Sequence, residues 1–247
     1  MQEDFIIVIP ARLDSTRLPK KLLIEIEGKS IIERTYNQAF KALRNKDNII
    51  IATDSLIIKN HCDNFGARTL LTSQDCLTGT DRIAEVAEKI SASQYINLQG
   101  DEPIFPIDQL KIFIKNVIQD KTKVYTAITS IKDEKDYRNY SIPKMVFSNS
   151  KRLLYSSRAP IPGNKNDLFK KAYKHICVYA FNKEHLIEFK NQKEKTNFEF
   201  IEDLEINRFL ELDISVSCIE LDNGGKAVDT NYDLEEVRKI IKNRSIF

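Results

Sequence analysis

Unbroken apolar runs alternate along the first half of the chain with segments whose apolar positions recur at helical spacing. Phe5 to Ile9 (FIIVI) has no polar interruption, the pattern of a central strand covered on both faces. From Ser30 to Leu43, the residues Ile31, Ile32, Tyr36, Ala39, Phe40 and Leu43 fall on one helical stripe. The same alternation predicts strands at Asn48–Ala52, Ala67–Leu71 and Gln94–Leu98, with helices at Ser55–Asn64, Asp81–Ile90 and Ile107–Ile118. Repeated strand–helix–strand order implies parallel strands joined by right-handed crossovers. The fold class is therefore α/β, with a Rossmann-like, doubly wound, mostly parallel sheet flanked by helices.

The second half is less regular. Val124–Ser130, Met145–Ser148, Arg152–Ser156 and Ile176–Phe181 are strand-like, and the long segments between them suggest a β-rich arm within roughly 140–190, a common place for subunit contacts. Glu199–Leu212 and Asp233–Lys242 are expected as closing helices. With no internal repeat and no low-complexity linker, residues 1–247 are expected to form one domain.

Composition changes this picture little. The 247 residues are 42% hydrophobic, enough for one full-sized core. The net charge of +2, from 38 basic and 36 acidic side chains, gives no reason to expect a nucleic-acid polymer or an anionic membrane as partner. The apolar stretch at the N-terminus is too short for a signal core or a membrane span, so a cytoplasmic location is expected. Cys62, Cys76, Cys177 and Cys218 lack zinc-site spacing and are expected as free, mostly buried thiols.

Ligands of such sheets bind beyond the carboxyl ends of the strands, which directs attention to three loops, Pro10–Lys21, Thr53-Asp54 and Gln99–Pro103. Pro10 to Lys21 (PARLDSTRLPKK) follows the first strand and crowds Arg12, Arg17, Lys20 and Lys21 with the hydroxyls of Ser15 and Thr16. Arg forks, a Lys point charge and hydroxyls suit a triphosphate. Gly28-Lys29-Ser30 only resembles a P-loop: the position of the required earlier glycine holds Leu23, and the loop does not directly follow the first strand. Gln99-Gly100-Asp101-Glu102-Pro103 follows the fourth strand, where Asp101 suits either a Mg²⁺–triphosphate complex or a helix cap. Asp229 is a partner carboxylate if the chain returns to the cleft, or simply part of the loop leading into the last helix. No G-x-S-x-G, HExxH or G-x-G-x-x-G occurs.

In order along nearly the whole chain, IVIPARLDSTRLPKKLL, IATD, TGTDRIAEVAEK, INLQGDEP, YSSRAPIP, YKHICVYAF, EFIEDLEINR and VDT resemble the 3-deoxy-manno-octulosonate cytidylyltransferases (CMP-Kdo synthetases). The resemblance implies a nucleotide-diphosphosugar-transferase fold, a homodimer and Mg²⁺ as cofactor. It also implies a reaction of CTP with a 3-deoxy-2-ulosonic acid, giving CMP-Kdo and pyrophosphate for lipopolysaccharide or capsule synthesis. Carried over by position, Arg12, Ser15, Arg17 and Lys21 hold the phosphates, and Pro10, Ala11, Thr78, Gly79 and Arg82 line the cytidine pocket. Asp101 and Asp229 bind Mg²⁺ and, with Lys21, carry the chemistry. Gln99, Arg158, His175, Tyr179 and Glu205 face the sugar acid. By their own pattern, His175 also reads as a buried structural histidine and Glu205 as a solvated helix residue.

The chain departs from the family pattern in places. Lys20 and Cys177 replace glycines, and Ile206 replaces a glutamine expected near the sugar. A modified sugar, such as 8-amino-Kdo or a nine-carbon ulosonic acid, is therefore the alternative substrate.

Overall fold

A computed structural model describes residues 5–15 and 17–244. Strand β1 (Ile6–Ala11) is buried along its whole length, and its side chains alternate between the two faces of the sheet. Ile7 and Ile9 enter one core, while Ile6 and Val8 enter the other. β4 (Ile49–Thr53) and β6 (Tyr95–Leu98) flank β1 in parallel register and are equally buried. This is why all three read as continuous apolar runs rather than alternating ones. β5 (Arg68–Leu71) lies parallel beside β4 at the margin and is correspondingly more exposed.

Four helices cover the first core: α1 (Ile31–Leu43), α2 (Leu56–Asp63), α4 (Ile107–Val117) and α9 (Asn231–Arg244). The second core is covered by α3 (Gly79–Lys89), α6 (Lys183–Asn191) and α8 (Ile206–Glu211). A small hairpin, β2 (Glu25–Ile26) with β3 (Lys29–Ser30), leads into α1. The Ser30 side chain caps that helix by accepting from the Glu33 N–H.

Beyond β6 the sheet turns mixed. β10 (Tyr173–Phe181) runs antiparallel to β6 and to β7 (Val124–Ser130), and β11 (Val216–Glu220) lies parallel to β7. The order is β11-β7-β10-β6-β1-β4-β5, with β10 the reversed strand. A hairpin of β8 (Lys144–Phe147) and β9 (Leu153–Ser157) joins the outer end of β10 and forms the β part of the expected arm. The short helix α5 (Glu134–Arg138) precedes it.

One sequence expectation needs correction here: Glu199–Leu212 is not one helix. It is α7 (Asn197–Glu202) and α8, separated at Asp203, whose φ is 51°. Glu199 and Arg208 pair at 2.6 Å, whereas residues nine apart in a straight helix are about 13 Å apart along the axis. The ion pair therefore demands the break. Arg158 supports it by donating to the Glu202 and Asp203 carbonyls left open at the end of α7.

Topology places the site. The chain leaves β1 for β4 and β5 on one side, then α3 carries it back to β6 on the other. The loops after β1 and β6 thus diverge at a topological switch point, which opens a crevice at the carboxyl ends of the strands.

Candidate active site

The crevice is a cleft of about 1200 Å³, lined by Pro10, Ala11, Arg12, Ser15, Arg17, Lys21, Thr78, Gly79, Arg82, Gln99, Asp101, Arg158, His175, Tyr179, Glu205 and Asp229. The residues that the resemblance assigns to nucleotide, metal and sugar are therefore brought to one cavity, from segments more than 200 positions apart.

The loop after β1 is pinned by Leu18 and Leu22, both buried in the first core. Between these anchors Lys20 adopts a left-handed conformation (φ 52°), which explains why glycine suits this position in the family pattern. Lys21 then opens a single 3-10 turn, Lys21–Leu23. Arg12 is exposed and makes no hydrogen bond or ion pair among the described residues.

The loop after β6 is drawn tightly onto β1. A Cβ on Gly100 would lie 2.7 Å from the Pro10 carbonyl oxygen, so only glycine permits the approach. Helix α1 holds this loop through Thr35, which donates to the Gly100 carbonyl (2.9 Å), and Gln38, which donates to that of Pro103 (3.1 Å). The chain after β11 returns through Gly225, whose positive φ (76°) lets it pass against Ile104. The Val228 N–H then donates to the Asp101 carbonyl (3.0 Å), setting Asp229 beside Asp101.

At the meeting point Lys21 Nζ donates to Asp101 Oδ2 (2.6 Å) and to Asp229 Oδ1 (2.9 Å). Arg17 reaches Asp229 from the solvent side at 3.1 Å. Burial alone would lower the Lys21 pKa, but the two carboxylates outweigh it and hold it above the ordinary lysine value. Burial pushes Asp229 up, and Lys21 and Arg17 bring it below the usual aspartate range.

Among the described residues, no group of three or more His, Cys, Asp or Glu side chains forms a complete metal cage. Two hard carboxylates converging on one cation are nevertheless a donor set that suits Mg²⁺, which takes one or two protein carboxylates with its remaining places filled by phosphate and water. The residues present fit that ion.

The opposite wall comes from β10, α7 and α8. Glu205, at the start of α8, accepts from the Thr80 N–H (3.1 Å) and from Gln99 Nε2 (3.3 Å). Burial raises its pKa, and the Thr80 N–H offsets this only in part. Thr78 and Asp81 form a capping box at the start of α3, so the helix begins at Gly79 rather than at Asp81. Arg82 is buried and held by Asp54 (2.8 Å), Thr72 and the Ser73 carbonyl. Arg158 donates to three backbone carbonyls, of Tyr140, Glu202 and Asp203, which leaves two of its five N–H groups for a ligand.

His175 is buried and lies on the cleft wall. Thr126 donates its hydroxyl to the Val178 carbonyl (3.2 Å), so the ring Nε2–H donates to Thr126 (2.9 Å), and Nδ1 is left as an acceptor facing Cys177 Sγ at 3.9 Å. Desolvation pulls the His175 pKa down to about 3, so the ring is neutral. Tyr179 packs edge-on against it at 5.4 Å, and burial raises the phenol well above its usual range. All four cysteines are free. Cys62 and Cys218 are buried, whereas Cys76 and Cys177 line the cleft, with the Cys76 thiol pushed up to about 12 by burial.

Ile206 does not fit its expectation. It is fully buried in the second core and is absent from the cleft wall, because one residue along α8 from Glu205 turns the side chain about 100° away from the ligand side. The apolar residue at this position follows from its packing in the second core.

Sequence reasoning missed Glu102, a buried carboxyl on the cleft wall whose Oε2 has no hydrogen-bond partner. Burial first, then Asp101 and Asp229, raises it well above the ordinary glutamate value. The one clue was its place beside Asp101. Also missed was Arg208, fully buried on Glu199 and Asp81 with its guanidinium 3.8 Å from the Phe189 ring centroid.

The cytidylyltransferase family model matches residues 6–216. The 3-deoxy-manno-octulosonate cytidylyltransferase of Elusimicrobium minutum is 40% identical over 97% of this chain and 99% of its own length. The protein of the same name from Chloroherpeton thalassium is 38% identical over 96% of this chain and 97% of its own. The structure of a CMP:2-keto-3-deoxy-manno-octonic acid synthetase complexed with CTP superposes with a TM-score of 0.89 at 31% identity, covering 98% of this chain and all of that one. With the loops, the paired carboxylates and these relatives in agreement over the full length, the chain belongs to the cytidylyltransferase family, among the 3-deoxy-manno-octulosonate cytidylyltransferases.

Proposed function

We propose that the chain transfers the cytidylyl group of CTP to the anomeric hydroxyl of Kdo, a 3-deoxy-2-ulosonic acid, and releases pyrophosphate. The observation that carries this reading is the convergence of Lys21, Asp101 and Asp229 at the switch point, beside a basic loop and opposite a wall of neutral and carbonyl-held polar groups. Arg12, Arg17 and Lys21 offset triphosphate charge, and the Ser15 hydroxyl orients it. Pro10, Ala11, Thr78, Gly79 and Arg82 line the cytidine end. At Gly79 a Cβ would stand 3.3 Å from Pro10 Cγ, so a side chain there would crowd the wall.

Asp101 and Asp229 are the residues that would hold Mg²⁺. When bound, the ion supplies Lewis acidity that favours ionisation of the attacking hydroxyl and offsets phosphate charge. Arg158, with two N–H groups left over, pairs with the sugar carboxylate, while Gln99, Glu205, His175 and Tyr179 fix its hydroxyls. Held in line, the sugar oxygen forms its bond to the α-phosphorus as the bond to the α,β-bridging oxygen breaks. The hydroxyl proton passes to solvent, and pyrophosphate leaves with the electron pair against Arg17 and Lys21. Free thiols and a CTP substrate are consistent with a cytoplasmic location, and no helix among the described residues is long and apolar enough to cross a membrane.

Pairing of two copies, as the resemblance implies, is supported by the exposed apolar face of α7. It presents Phe198, Phe200 and Ile201, and Tyr155 of β9 packs edge-on against Phe198 at 5.8 Å. Sedimentation of the purified chain would show a dimer, and a monomer at micromolar concentration would remove this pairing.

The reaction is tested by pyrophosphate release from CTP and Mg²⁺ with Kdo, 8-amino-Kdo and N-acetylneuraminate supplied separately. Release with Kdo is expected. Release with another acid only would reassign the sugar, and silence with all three would reject the transfer.

A further inference from the structure

Lys21 stands where a metal ion bound by Asp101 and Asp229 would have to stand. Its ammonium lies 2.6 Å from one carboxylate and 2.9 Å from the other, and only 12% of its side chain is exposed. The backbone beneath it is fixed, since Lys21 N–H donates to the Leu18 carbonyl (3.1 Å) and Leu22 is buried. The four-carbon stem has rotatable bonds, which give the ammonium a way to swing while the loop stays in place. Mg²⁺ needs carboxylate oxygens at about 2.0–2.1 Å, and an ammonium ion lodged between the two carboxylates competes with it for their charge and for the space between them. The same cleft admits the triphosphate, whose oxygens offer Lys21 another anionic partner. Arg17 also touches Asp229, but its side chain is 66% exposed, so its hold is screened by water.

We propose that Lys21 is the resident cation of the Asp101–Asp229 pair in the nucleotide-free chain and gates metal access to it. Arrival of the triphosphate draws the ammonium off the carboxylates, so nucleotide and metal each favour binding of the other, as linkage requires. This rests on the reading of Asp101 and Asp229 as the metal ligands. The role goes beyond phosphate binding, because it predicts that loss of a cleft cation improves metal binding when no nucleotide is present.

The test is Mn²⁺ binding to the nucleotide-free protein, followed by the paramagnetic resonance signal of the free ion; Mn²⁺ takes the same oxygen ligands as Mg²⁺. Lys21→Met is expected to bind Mn²⁺ about tenfold more tightly than the unaltered chain, inside the roughly 5- to 150-fold range of coupled sites. Lys174→Met is the charge control. Lys174 lines the same cleft but pairs with Asp136 at 3.7 Å, so its loss is expected to change affinity by less than about twofold. In the double variant Lys21→Met/Asp101→Asn the gain should disappear.

A Lys21→Met protein no tighter than Lys174→Met would overturn the gating role while leaving the metal ligands standing. Tight binding that survives in the double variant would instead put the ion elsewhere, and both readings would fall. Lys21→Gln provides the same comparison should the methionine variant fold poorly.

Discussion

The two walls of the cleft are held in place by different physics. The wall built from β1, β4, β6 and α3 depends on the ends of buried parallel strands, where the backbone ladder sets each loop and hydrogen bonds to backbone carbonyls from Thr35, Gln38 and the Val228 N–H finish the job. The wall built from β8–β10, α7 and α8 depends on long side chains reaching across the sequence. Arg158 holds the end of α7, Arg208 ties α8 to Glu199 and Asp81, and Lys144, also fully buried, donates to the Asn139 (2.9 Å) and Arg158 (2.6 Å) carbonyls. Asn207 donates to the Ser156 carbonyl at 3.0 Å. The first wall should therefore tolerate side-chain changes that leave its backbone alone, whereas the second should be sensitive to the loss of single buried charges.

The sharpest way to break that contrast is Arg208→Ala. It leaves Glu199 and Asp81 buried without their cation, and removing one member of a buried pair costs about 3–5 kcal/mol. Urea unfolding measures the loss; a cost below about 1 kcal/mol would mean the second wall does not depend on buried charge.

On the first wall, Asp101→Asn keeps shape and removes charge. Pyrophosphate release should fall on the order of 10²–10³-fold with an unchanged unfolding midpoint, the usual size for loss of one charge-stabilising group. Near-normal turnover would take Asp101 out of the chemistry.

A smaller effect comes from His175 on the second wall. Its folded pKa of about 3 lies below the ordinary 6.5, so between those values the unfolded chain binds a proton that the native chain does not. Its contribution to stability is therefore complete above the ordinary value and is lost as pH falls toward 3. Between pH 7 and pH 5 the loss should be about 2 kcal/mol, and His175→Gln should flatten it in urea titrations at the two pH values.

The smallest effect belongs to Lys20 on the first wall. Lys20→Gly relieves a left-handed φ of 52° but adds freedom to the unfolded chain. A net change under about 1 kcal/mol in thermal unfolding is expected.

The same contrast decides what could be read in advance. Ile6–Ala11, Ile49–Thr53 and Tyr95–Leu98 were legible because a strand covered on both faces must be apolar throughout, and the basic loop and Asp101 follow directly from the ends of those strands. The break at Asp203 was not legible, because its cause lies in partners distant in sequence. Arg158 reaches 44 positions to Glu202, and Arg208 reaches 127 positions to Asp81. Helical periodicity in Glu199–Leu212 is real on either side of the break, which is why it read as one helix. Ile206 was misplaced for the same reason, since its neighbour Glu205 faces the cleft and only the orientation of α8 sends the next side chain into the core.

Local pattern thus determined the α/β class, the order of the parallel strands' units, the family and the basic loop that borders the cleft, because burial of a strand and the chemistry of a loop are written in consecutive positions. Tertiary structure alone decided that Lys21 lies between Asp101 and Asp229, that Glu102 is buried beside them, and that His175 is neutral. Distance between carboxylates, desolvation and the reach of a lysine stem depend on which segments the folded chain brings together, and neighbouring letters do not specify that.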